Sequence, residues 1–155
     1  MTINDIKTPE DILIYMDSIK YGWLDINNEE HINNLKNFRR LYRTMSIEES
    51  LQHNIGTCIE QVLIMSMLLD KIGIPNKKFC TRVYERKDFN NLDEEEHMHC
   101  FVLYYMNNKV YQIEHPNSLR IGMYEYSDEI SAIKEINEYY VKMAEGKSRP
   151  VTEFD

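Results

Sequence analysis

Apolar residues recur along this chain with two different periods, and the change of period falls at Pro75. Before it they return every three or four positions, as on one face of a helix; after it they alternate, as along strands. Thr8-Pro9-Glu10-Asp11 supplies an N-cap hydroxyl, a proline at the first helical position and acids in the first turn. That predicts a helix to about residue 20, with Ile12, Met16 and Ile19 inward. Gly22-Trp23-Leu24-Asp25 should break it, and a second helix is predicted over 29–43. Ser46-Ile47-Glu48-Glu49 is a capping box that opens a short third helix ending near His53.

After the break at Asn54-Ile55-Gly56, Thr57-Cys58-Ile59-Glu60 is a further capping box. The helix it opens should run over 58–72 and stop at Gly73, with Pro75 just beyond. It has almost no polar face, and a helix apolar nearly all round lies buried. Strands are then predicted over 78–85, 98–106 and 109–115, the last two joined by the two-residue turn Asn107-Asn108. The intervening stretch 86–96 is polar and acidic and reads as a loop. Tyr124 and Tyr126 suggest another short strand, and Ser127 should cap a last amphipathic helix that ends at Gly146. The expectation is one α+β domain over 1–146, a buried helix packed on a small antiparallel sheet, with 147–155 as a loose tail.

The bulk properties narrow the function. With 155 residues, 43% hydrophobic and 28% charged, the chain should fold as one soluble unit. Its net charge of -8 repels phosphate backbones, and the Arg39, Arg40, Arg43 cluster at helical spacing reads as a solvated face, so no nucleic-acid partner is expected. The longest apolar run, 62–69, is interrupted by Ser66 and far too short to span a bilayer, so no membrane partner is expected. The N-terminal stretch lacks a basic region followed by an apolar one, so the expected location is cytoplasmic. Three cysteines, Cys58, Cys80 and Cys100, with no CxxC pair, point to a reactive thiol among buried ones rather than to a disulfide framework.

Cys58 is the candidate nucleophile. The capping box places it at a helix N-terminus, where unpaired backbone N–H groups and the macrodipole favour a thiolate and offer donors to an oxyanion. Gly56 would let a substrate backbone come close. The base needs an orienting partner. If Asn107-Asn108 is a two-residue turn, Met106 pairs with Lys109 and Glu114 falls opposite Phe101. His99 and Glu114 then become diagonal neighbours on one face, expected to face the buried helix, while His115 and Cys100 fall on the other. His31 reads as a surface residue and His53 as structural. A rival use of the same strand is metal binding by His97 and His99, with Cys80, Cys100 or His115 as further ligands. The stripe Phe101, Tyr104, Tyr105, Tyr111 reads as core or sheet surface, and the run Asp93-Glu94-Glu95-Glu96 as a solvated loop beside the histidines.

These residues resemble the transglutaminase-like superfamily within the papain-like fold group. Gly56-Thr57-Cys58 opens an apolar helix, Gly73-Ile74-Pro75 closes it, and His99-Cys100-Phe101 is followed fifteen residues later by Glu114. Tyr21-Gly22-Trp23-Leu24-Asp25, Gln61 three residues after the cysteine, and the stretch 120–126 are similar to segments of small bacterial transglutaminase-like proteins. The chain departs from the pattern in having Glu114 where Asp is commoner and Cys100 after the histidine. The resemblance implies a papain-like core with extra N-terminal helices and a C-terminal helix, and a cofactor-free Cys58-His99-Glu114 triad. It implies acyl transfer from a peptide, protein or small amide, to water or to an amine. Gly56, Gln61 and Gln52, the last six residues before the cysteine, are the expected oxyanion or substrate-binding residues. The alternative is a catalytically inactive binding or scaffold protein on the same fold.

Overall fold

The computed structural model describes residues 1–84, 96–144, 147–148 and 151–155. The acidic stretch 86–96, read from sequence as a loop, lies almost wholly outside them; Glu96 already belongs to a strand. The helical N-terminal signals hold where they are local. α1 (Pro9–Met16) is capped by Thr8, whose side chain accepts from the Asp11 N–H at 3.2 Å. α3 (Ile47–His53) is capped by Ser46, which accepts from Glu49 N at 3.1 Å.

Between these helices the expected second helix is absent. The chain forms β1 (Lys20–Asp25), β2 (Glu30–Ile32), the single turn α2 (Phe38–Leu41) and β3 (Tyr42–Arg43). Its apolar residues gather on Trp23 instead of along a helix face. His31 stacks on the indole at 4.2 Å, Phe38 and Tyr42 meet it edge-on at 5.2 and 6.4 Å, and its Nε1–H donates to Asn34 O at 2.7 Å. Asn33 and Asn37 take φ of 52° and 62°, which a continuing helix forbids and asparagine tolerates. His31 is therefore half-buried rather than a surface residue, and its Nε2 lies 2.9 Å from Asp25 Oδ2. α1 ends earlier than expected because Lys20 N–H already donates to Asn54 O at 2.9 Å, committing the chain to β1.

β4 (Ile55–Gly56) runs parallel to β1, pairing Lys20 with Ile55 and Tyr21 with Gly56. α4 (Cys58–Lys71) follows at once. It ends at Gly73, whose φ of 78° suits a residue without Cβ. A second, antiparallel sheet contains β5 (Asn76–Tyr84), β6 (Glu96–Met106), β7 (Lys109–Glu114) and β8 (Gly122–Tyr126). α5 (Glu129–Ala144) comes next. It is capped by Asp128 rather than Ser127, since Asp128 Oδ1 accepts from Ser131 N at 2.7 Å. The expected loose tail is also ordered: β9 (Lys147–Ser148) and β10 (Thr152–Phe154) pair along the outer edge of β5. A lone three-residue strand carries no sequence signal; an open sheet edge gives it partners.

The mixed α+β architecture follows, with the larger sheet covered on both faces. Cys100, Val102, Tyr104 and Ile113 form one face with α4 and with Ile12 and Met16 of α1. Phe79, Phe101, Leu103 and Val110 form the other with Ala132, Ile136 and Tyr140 of α5. Each fully buried Leu, Ile or Met stabilises the core by about 1.5–3 kcal/mol. None of the helices among the described residues is long and apolar enough to cross a membrane.

One position tests how tightly the strands of the smaller sheet are packed. A Cβ on Gly22 would lie 2.8 Å from the His31 carbonyl oxygen and 3.3 Å from the Ile55 side chain. Gly22→Ala should lower stability by about 1–3 kcal/mol in denaturant unfolding, the usual range for overpacking. An unchanged midpoint would contradict the tight seating of β1 between β2 and β4.

Candidate active site

The geometry of the site begins with the hairpin. Asn107 and Asn108 have φ of 55° and 59°, as a primed two-residue turn requires, and Met106 pairs with Lys109. Residues flanking such a turn exchange both backbone hydrogen bonds. The even-numbered residues of β6 therefore direct their N–H and C=O groups toward β7, and the odd-numbered ones toward β5. The β6–β7 ladder ends at Val102 and Ile113. Beyond it, the Cys100 N–H and the Met98 C=O face an edge that β7 no longer covers.

Cys58 fills that gap. Its Sγ lies 3.5 Å from Met98 O, to which the thiol donates, and the Cys100 N–H points back at the sulfur. The protonated sulfur is thus held by a carbonyl and the ionised one by an N–H. The Cys58 thiol is lowered to about 7. The largest cause is the hydrogen bond from the Cys100 thiol; burial opposes it, and the charge of His99 lowers it further. The Cys100 thiol is pushed up correspondingly by Cys58, by Cys80 and by burial.

His99 and Glu114 share a face, as the hairpin count requires, with His99 Nε2 3.0 Å from Glu114 Oε1. That face is covered by α5, not by α4 as expected. Cys58 approaches β6 at its open edge, and the charge of His99 lowers its thiol pKa. The Nε2–Oε1 approach is close without being an aligned hydrogen bond, and Nε2 is a buried atom with no hydrogen-bond partner. Glu114 itself is 1% exposed and held firmly. Tyr140 donates its hydroxyl to Oε1, Gln112 Nε2 approaches at 3.5 Å, and Asn117 Nδ2 donates to the Tyr140 oxygen at 3.3 Å. The Tyr140 ring also stacks on His99 at 3.7 Å between centroids. Burial, and then Glu114, push the Tyr140 hydroxyl upward.

The residues expected to assist have definite places. Gln61 is buried and tied at both ends: its Nε2 donates to Gly56 O at 2.9 Å, and its Oε1 accepts from His115 Nδ1 at 2.6 Å. It braces the approach to Cys58. His115 lies on the α4 face, as the alternation requires, with Nε2 3.4 Å from Asp17, and burial lowers its pKa. Gly56 is closely packed against α4: a Cβ there would lie 3.1 Å from Glu60 Cβ and 3.3 Å from Gln61 Cγ. Gln52 lies in α3 with its side chain exposed. The capping box at Thr57 forms through Glu60, whose carboxylate accepts from Thr57 N at 3.2 Å and from the Thr57 hydroxyl. Tyr42 OH donates to the same buried carboxylate at 2.7 Å.

Sequence reasoning did not find Tyr140, Tyr42 or the role of Gln61 as a brace. Tyr140 is one of two adjacent tyrosines on an amphipathic helix, and only the docking of that helix decides which one meets His99. Among the rival metal ligands, the side chain of His97 lies outside the described residues. Among the described residues, the group able to converge on an ion is Asp25, Glu29 and His31, remote in sequence from that strand. Both Asp25 oxygens are already engaged, by Asn27 N, Glu29 N and His31.

No family model matches the chain, and no curated protein matches its sequence.

The tyrosine contact is measurable. Tyr140→Phe keeps the ring over His99 and removes the donor to a buried carboxylate. Stability should fall by about 1.5–3 kcal/mol, the range for hydrogen bonds to charged groups. A denaturation midpoint equal to that of the unmodified chain would show that Glu114 does not depend on Tyr140.

Proposed function

We propose that this chain is a cysteine-dependent acyl-transfer enzyme of the transglutaminase-like, papain-like kind, with Cys58 as nucleophile, His99 as base and Glu114 as the orienting acid. One observation carries the reading: Cys58 opens α4 with its Sγ 3.5 Å from Met98 O of β6, the strand on which His99 Nε2 lies 3.0 Å from the buried Glu114 carboxylate. Because Nε2 faces Glu114, Nδ1 is the nitrogen that exchanges a proton with the thiol. The order and spacing of the residues, described above as a resemblance, support the same assignment.

In this mechanism the Cys58 thiolate attacks an amide carbonyl carbon, and the Cys58 N–H, at the first turn of α4, donates to the oxyanion. The imidazolium of His99 passes its proton to the leaving nitrogen as the C–N bond breaks, leaving a thioester. Water or a second amine then attacks the thioester while His99 takes its proton, and Cys58 leaves as thiolate. Glu114 fixes the imidazole orientation and stabilises its charged form. A peptide, protein or small amide meets these requirements, with no cofactor in any step. The burial of Cys58, 9% exposed, favours the second reading, an inactive binding or scaffold protein on the same fold.

Labelling separates the two. Alkylation of Cys58 by iodoacetamide should rise with pH and inflect at about 7, below the value of about 8.5 for free cysteine. Cys58→Ala should abolish labelling by a carbonyl-directed probe, while Cys80→Ala and Cys100→Ala retain it. Glu114→Gln should move the inflection upward and remove most activity, as the comparable change in serine triads costs about 10⁴-fold in turnover. Labelling that survives Cys58→Ala, or an inflection unmoved by Glu114→Gln, would contradict the triad.

A further inference from the structure

The three cysteines of the chain form a row. Cys100 lies directly opposite Cys80 across the β5–β6 ladder. The hairpin parity derived above sends the backbone groups of Cys100 away from β5, so this is a non-hydrogen-bonded pair, the kind whose side chains approach more closely. On its other side lies Cys58, which shares its core cluster and whose Sγ is 3.5 Å from Met98 O, the carbonyl that β6 turns toward the same open edge as the Cys100 N–H; the thiol and N–H of Cys100 both lower the Cys58 pKa. Cys100 is thus the middle member, hydrogen-bonded to both neighbours and fully buried. The triad assigned above uses only Cys58. A second thiol in contact with the nucleophile has no part in acyl transfer, yet has the position of a resolving cysteine.

We propose that Cys58 and Cys100 are a redox pair, in which a hydroperoxide oxidises Cys58 and Cys100 captures the product as a reversible disulfide. The Cys58 thiolate attacks the distal oxygen of the peroxide. The O–O bond breaks, the departing hydroxide or alkoxide takes a proton, and Cys58 becomes a sulfenic acid. The Cys100 sulfur then attacks the Cys58 sulfur, the S–O bond breaks, and the Cys100 proton leaves with the oxygen as water. The peroxide is reduced by two electrons and the two thiols are oxidised to one disulfide. Forming the sulfenic acid removes the thiolate charge that holds the Cys100 proton in place, so the first step prepares the second. The disulfide takes Cys58 out of service and protects it from the irreversible sulfinic acid. A dithiol reductant reverses it by attacking the less buried Cys58 sulfur, Cys100 leaving as a thiolate that takes a proton, and the second thiol of the reductant then releases Cys58.

The pairing stands on the seat of Cys58 beside β6 and not on the acyl-transfer reading, and its test reads oxidation state rather than activity, so either can fail alone. The full chain is treated with hydrogen peroxide, quenched in acid, alkylated and mapped by peptide mass spectrometry with and without dithiothreitol. The expected product is a Cys58–Cys100 bridge, with Cys58 labelling restored by the reductant. In Cys100→Ala, Cys58 should pass to sulfinic acid, and the labelling recovered by dithiothreitol should fall several-fold; Cys80→Ala should behave as the unmodified chain. Circular dichroism checks that Cys100→Ala is folded, and bridge mapping in the unmodified chain decides the matter without it. Sulfinic acid at Cys58 with no bridge, a Cys80–Cys100 bridge with Cys58 free, or equal recovery in folded Cys100→Ala would each overturn the proposal.

Discussion

The site depends on one discontinuity in hydrogen bonding: β6 and β7 stop pairing after Val102 and Ile113, before β6 has ended. An edge of backbone donors and acceptors is thereby opened inside a covered sheet, where unpaired groups are unfavourable. The Cys58 sulfur closes it, taking contacts with Met98 O and the Cys100 N–H. The sulfur at this edge sits beside the strand that carries Cys100 on the α4 face and His99 on the α5 face, and the charge of His99 lowers the thiol pKa.

The surroundings hold the start of α4 in that gap. β4 fixes the preceding residues by parallel pairing with β1, and Gln61 clamps the Gly56 carbonyl to His115. The buried Glu60 gathers Thr57 and Tyr42 beneath the first turn. From the far side, α5 lays Tyr140 across His99 and binds Glu114 with the same side chain. The proposed base and its orienting acid are therefore positioned by the C-terminal helix, and the proposed nucleophile by the N-terminal half.

How much of this was legible in the sequence depends on range. α1, α3 and α4 were readable because capping signals act within a turn, and the β6–β7 register because a two-residue turn leaves only one way to count. His99, Glu114 and Cys58 followed from those local facts. The helix expected over 29–43 does not form because Phe38 and Tyr42 pack with His31 on Trp23 from several elements, a tertiary preference that overrides a weak helical pattern. The tail at 152–154 was missed because its partner, β5, is some seventy residues earlier. The face of His99 was correctly paired with Glu114 but assigned to the wrong helix. Alternation says which residues share a face and nothing about which helix covers it.

The most direct test of the central contact is the Cys100 amide proton, followed by nitrogen–proton correlation NMR as the pH is raised. If this N–H donates to the Cys58 sulfur, its proton shift should move with ionisation of Cys58, with an inflection at about 7. The movement should vanish in Cys58→Ala. A Cys100 amide that does not titrate, or that titrates equally without the Cys58 thiol, would mean that the sulfur does not occupy the open edge of β6.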